Sequence, residues 1–121
     1  MQCTSFQSEI LVPRDAATGQ AAARRQIAPI KCVKRLDRAT PLLLNALVNN
    51  EALANVTFRF LQASSTGAEV LVYTVALTNA NVSGIRQFLD AAGLAQEELT
   101  LSYEQATVTF EQGGVTAEIR R

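Results

Sequence analysis

Histidine and tryptophan are absent from this chain, methionine occurs once, and aromatic residues make up 6% of it. Without histidine, the commonest general base and the commonest zinc ligand are missing. The serines and threonines then have no imidazole partner to activate them as nucleophiles. Cysteine occurs only at Cys3 and Cys32, with no CxxC or other metal-ligand spacing. Two cysteines do not make a disulfide framework in a domain of 121 residues. Both are expected on strands as small buried hydrophobes rather than as a Cys3–Cys32 bridge. No apolar run reaches the ~18 residues of a membrane-spanning helix, so no membrane insertion is expected. The opening MQCTSFQSEI has neither a basic n-region nor an apolar h-region, so no secretory signal is read there.

Catalytic motifs are missing as well. There is no GxSxG and no P-loop, and Gly113-Gly114 reads as a hairpin turn rather than a phosphate cradle. Glu97-Glu98 is expected to be solvated at the start of a strand, and nothing in the sequence marks Lys31 or Lys34 as unusual. No enzyme activity, metal or cofactor is expected.

What is present is an apolar chain, 48% hydrophobic, with zero formal net charge. One domain, residues 1–121, is the default at this length, and it can bury a core without staples. The charge is unevenly placed. Arg14, Arg24, Arg25, Lys31, Lys34, Arg35 and Arg38 share a stretch with only Asp15 and Asp37, for a net of +5, so the remainder carries −5. A nucleic-acid binder is usually basic overall and offers aromatics for stacking. This chain is neutral and its basic stretch holds no aromatic residue, so nucleic acid is not the expected partner. Opposite charge on two parts of one chain suits stacking of copies.

The alternation of apolar residues predicts mostly strands. Gln2–Val12 reads as a first strand with Phe6, Ile10 and Val12 on one face. A polar loop, residues 13–26, follows; it is long for a compact domain, and such loops are usually functional or mobile. Ile27–Leu36 resumes as a strand, with Ile30, Cys32 and Leu36 inward and Lys34 interrupting the pattern. A short helix over about 40–50 comes next. Thr40 is its expected N-cap and Pro41 its first residue. Leu43, Leu44, Leu47 and Val48 fall on one face, and Asn49-Asn50 marks its end. In ANVTFRFLQA, Val56, Phe58 and Phe60 alternate, and SSTG forms a turn. VLVYTVALTNANV reads as a central strand whose end bends or bulges. FLDAAGLAQE reads as a loop or one helical turn. Leu99, Leu101 and Tyr103, then Ala106, Val108 and Phe110, alternate around a slip at Glu104-Gln105 that suggests a bulge. The order β–loop–β–α–β–β–β–β predicts a mainly β fold, an antiparallel barrel or two-sheet sandwich with one short flanking helix.

The stretch ILVPRDAATGQAAARRQIAPIKCVKRLDRATPLLLNAL resembles the Hcp family, the haemolysin-coregulated tube proteins of bacterial type VI secretion. The matching residues are Val12, Pro13, Gly19, Gln20, Arg25, Ile27, Pro29, Asp37, Pro41, Leu42, Leu44, Ala46 and Leu47. VTFRFLQ, the Tyr73 strand with Leu-Thr-Asn-Ala, and ELTLSYEQATVTFE fit the same pattern, so the resemblance covers roughly residues 6–112. It implies a structural subunit that forms homo-hexameric rings stacked into a tube. A contractile sheath propels such a tube from the cytoplasm, with a spike protein at its tip and small effectors in its lumen. It further implies that Arg14, Asp15, Gly19, Gln20, Arg24 and Arg25 belong to a ring-stacking loop, and that Pro41, Leu43, Leu44 and Leu47 belong to the ring wall. Export without a signal peptide follows from the same resemblance. Family members begin with another strand ahead of the position of Met1, so a barrel short of one edge strand is expected. The competing expectation is a monomeric β-barrel module binding a small ligand, peptide or nucleic acid.

Overall fold

The computed structural model describes residues 3–120. Its elements run β1 (Ser5–Gln7), β2 (Ile10–Leu11), β3 (Gln26–Ile27), β4 (Ile30–Arg35), α1 (Ala39–Val48), β5 (Ala52–Ala63), β6 (Glu69–Leu89), β7 (Ala95–Phe110) and β8 (Val115–Arg120). The main sheet is antiparallel throughout, in the order β1-β4-β7-β6-β5, with β8 paired to β7 beyond the end of β4. β6 and β7 form its spine. β6 carries β5 on one side and β7 on the other, so VLVYTVALTNANV is central as expected. The sheet curls until its two edges meet. Phe6 of β1 packs edge-on against Phe58 and Phe60 of β5, with ring centroids 5.0 Å apart in both pairs. The result is the mainly β, barrel-like fold the alternation predicts.

The core follows from that curl. Ile30, Cys32, Phe58, Val75, Leu77, Leu99, Leu101 and Tyr103 point inward and are buried, and Leu43 and Ala46 of α1 join them where the helix lies against β6. The slip in the β7 pattern has a different cause from the one expected. Leu77 pairs with Ala106 and Ala80 with Tyr103, so both strands change face together and the register holds. Asn79, in left-handed conformation at φ 52, makes the break and donates a hydrogen bond to Glu104. The true bulge is at Ser83 of β6, between Val82 and Gly84, in the segment read as bending.

The first strand departs from expectation. It is two short strands in different sheets. Among the described residues β1 pairs with β4, whereas β2 pairs only with β3. Ile10 and Val12 are accordingly exposed and do not share Phe6's face. The strand start at Gln2 and the chain end at Arg121 lie outside the described residues. Ile27–Leu36 is likewise split, with Ala28-Pro29 between β3 and β4, because a proline cannot donate to a ladder. Leu36 is exposed and Lys34 takes the inward position. FLDAAGLAQE is a hairpin: Phe88 and Leu89 end β6, and the Asp90 carboxylate accepts from the amides of Ala92 and Leu94 before β7 begins. Gly113 and Gly114 both take positive φ in the last hairpin turn.

The helix begins earlier than expected. Arg38 is already helical at φ −64 and ψ −25. Asp37 does the capping: its carboxylate accepts from Ala39 N–H at 3.0 Å, and Thr40 Oγ1 accepts from Asp37 N–H at 3.0 Å. That exchange is a capping box with Thr40 in the third position. Pro41 has no amide to offer, so Thr40 N–H takes the Asp37 carbonyl instead. The C-terminus is a Schellman motif. Asn50 is left-handed at φ 53, its N–H bonds Leu47 O, and Glu51 N–H bonds Ala46 O. Val48 is 79% exposed, because five residues beyond Leu43 place it about 140° around the helix.

Candidate assembly surface

The polar segment expected as a loop is a β-arm. β2 and β3 start it, Ala22 N–H bonds Pro13 O, and Arg14 bridges Ala21. Asp15 turns its tip. Its carboxylate accepts from Ala17 N–H at 2.8 Å and Thr18 N–H at 3.1 Å, and its backbone exchanges hydrogen bonds with Gly19 and Gln20. Those two amides hold the Asp15 carboxyl below its ordinary value. Gly19 sits at φ 73, where a side chain would be strained, and its carbonyl accepts from the Arg14 guanidinium. Arg14, Asp15, Gly19 and Gln20 therefore come together at the tip. Arg24 and Arg25 lie further along the returning side, beside Val12, Ala21, Ala23 and Ile27, around a shallow cavity of about 680 Å³. Arg25 donates to the carbonyl of Arg120 at the end of β8, which ties the arm's base to the sheet. All six predicted residues are exposed.

The helix supplies a different kind of surface. Leu43 is buried, Leu44 and Leu47 are half-buried, and Pro41, Leu42 and Val48 face solvent. So one side of α1 completes the core while apolar side chains remain on the other.

Sequence reasoning missed a buried ionic cluster beneath the start of this helix. Lys34 and Glu97 are cross-strand partners on β4 and β7, and both are wholly buried. Their charged atoms lie 2.7 Å apart. Lys34 also reaches Asp37 at 2.8 Å, and the Thr40 hydroxyl donates to Glu97 at 3.1 Å. Among the described residues the other carboxylate oxygen of Glu97 has no hydrogen-bond partner. Burial disfavours the Lys34 ammonium, but the hydrogen bonds and charges of Asp37 and Glu97 outweigh it and hold its pKa above the ordinary value. The hydrogen bond from Lys34, helped by Ala39 N–H, lowers the pKa of Asp37. Glu97 is thus not solvated. The signal was its phase, since Glu97, Leu99, Leu101 and Tyr103 alternate inward, as do Ile30, Cys32 and Lys34. Cys3 and Cys32 are not free hydrophobes either; they form a disulfide that pins the start of β1 to β4.

The family described as "Type VI secretion system effector, Hcp" matches residues 1–110. This chain belongs to the Hcp family. It is 33% identical over 84 residues to the "Major exported protein" of Pseudomonas aeruginosa, in an alignment that covers 69% of this chain and 49% of that relative. The chain thus spans about half the length of the curated relative it matches. Among solved structures, a crystal structure of an Hcp protein superposes with a TM-score of 0.92 at 21% identity, over 98% of this chain and 76% of that one. The secreted protein Hcp3 from Pseudomonas aeruginosa superposes at 0.80 with 26% identity, over 98% and 73%. The Hcp fold therefore extends over almost the whole chain, arm and helix included.

Proposed function

We propose that this Hcp-family chain is a structural subunit of a type VI secretion tube. Six copies form a ring, rings stack into a tube, and the tube leaves the cell with a spike protein and small effectors, driven by a contractile sheath. On this reading the arm reaches the next ring through Arg14, Arg24 and Arg25, and α1 forms part of the ring wall. Assembly takes place in the cytoplasm and the chain itself performs no catalysis. The observation that carries the proposal is family membership together with the arm. Among the described residues β2 and β3 pair only with each other, and beyond its base at Arg25 and Ile27 the arm is exposed, which supports a use between copies.

The deciding experiment is the mass of the purified protein by light scattering or native mass spectrometry. A species of six copies is expected. A clean monomer at micromolar concentration would overturn the ring and favour a monomeric binding module.

A further inference from the structure

Cys3 and Cys32 are the only cysteines of the chain, and they are joined. The loop they close contains β1, β2, β3 and the whole arm. Its two ends are anchored very differently. Cys32 is wholly buried in the middle of β4, which is laddered to β7 along its full length from Ile30 to Arg35. Cys3 is half-buried and precedes β1, whose ladder to β4 runs only from Ser5 to Gln7. The disulfide thus adds a covalent attachment at the weaker end. Hydrogen bonds that do not need the disulfide already bring the pair together. The amide and the hydroxyl of Thr4 both donate to Val33 O, and Phe6 pairs with Cys32. The two Cα atoms are 5.9 Å apart, within the span of a disulfide. Thiols held in that register can close without rearranging the sheet.

A cytoplasm keeps thiols reduced and the exterior of the cell does not. A chain that assembles in the first and is released into the second meets both conditions, in that order. We propose that Cys3–Cys32 is an export-coupled lock, a dithiol while copies assemble and a disulfide once the chain has left the cell. The inference rests on the export described under the proposed function. The oxidant is a small-molecule disulfide of the surroundings. Cys3, the less buried thiol, loses its proton and attacks one sulfur of that molecule, forming a mixed disulfide and releasing one small thiolate. The Cys32 thiolate then attacks Cys3 Sγ and releases the second. Two protons and two electrons leave the protein, and one small disulfide becomes two small thiols. The closed bond fastens β1 and the base of the arm to β4 after the contacts between copies have formed.

The test reads the thiols in cells that export the chain, by acid quenching and a maleimide mass tag applied in denaturant. The cytoplasmic chain should carry a tag on both cysteines and the released chain on neither. An untagged cytoplasmic chain, or a fully tagged released chain, would overturn the lock. Absence of the chain from the medium would overturn the export, and with it the coupling. The purified chain tests the lock separately. Prepared reduced, it should show the same assembled mass as the oxidised chain and lose both tags on addition of a small disulfide. On closure, hydrogen exchange at Ser5–Gln7 should slow at least about tenfold, with Ile30–Arg35 unchanged. Cys3→Ser should exchange like the reduced chain under both conditions. A reduced chain that stays open, or equal exchange before and after closure, would overturn the lock whether or not the chain is exported.

Discussion

Lys34 and Glu97 are both fully buried, and neither reads as special in the linear sequence. Removing one partner strands the other charge in the core, so Glu97→Ala should cost about 3–5 kcal/mol in chemical denaturation. Replacing the pair together, Lys34→Met with Glu97→Leu, should recover most of that loss, because neither charge then needs desolvating. The pH dependence has two flanks. Lys34 is raised above its ordinary 10.5, so its contribution is complete below that pH and fades as pH rises through the higher folded value. Asp37 is lowered from 3.8, so its contribution is complete above that pH and fades as pH falls through the lower folded value. Melting temperature against pH should therefore be flat between these limits and fall on both sides. The disulfide is a third feature of this scale. Cys3 and Cys32 are 29 residues apart, and a loop of that size is worth about 3.6 kcal/mol in the chain-entropy account. Cys3→Ser, compared under oxidising conditions, should show a loss of about that size.

Among the elements, the helix and the β5–β6 and β7–β8 turns were legible, while the β6–β7 turn and the arm were not. Asn49-Asn50 marks the end of α1 because asparagine tolerates the left-handed conformation that Asn50 adopts. The arm lacks the alternation that marks a hairpin, since Ala16–Ala23 is small and polar on both faces. Its pairing comes from Asp15 capping the turn and from the ladder started by Ile10 and Ile27. On the proposed tube reading, replacing residues 14–21 by a tight turn should change the stability of the protein in chemical denaturation by no more than about 0.5 kcal/mol. The same variant should fail to form tubes by electron microscopy.

At the scale of the molecule, the excess of positive charge in Arg14–Arg38 divides into two uses. Lys34 is consumed in the core, while Arg14, Arg24 and Arg25 remain exposed on the arm. If stacking rests on these arginines, Arg24→Glu with Arg25→Glu should abolish tubes and leave the mass of the ring unaltered. Tubes of normal length from this variant would remove the arm's charge from the stacking contact.

The linear sequence by itself determined the class of fold, because strand alternation and the capped leucine helix are local patterns that survive in one chain read alone. It also determined the family, through an ordered set of residues spread along almost the whole length. Tertiary structure decided which in-phase polar groups meet. Lys34 and Glu97 lie 63 positions apart and become neighbours only when β4 pairs with β7 in the observed register. It decided equally that Cys3 reaches Cys32 and that Phe6 of β1 packs against Phe58 of β5. Contacts of this kind depend on how far the sheet curls, which is set by the twist of many strands together and by no single stretch of the chain.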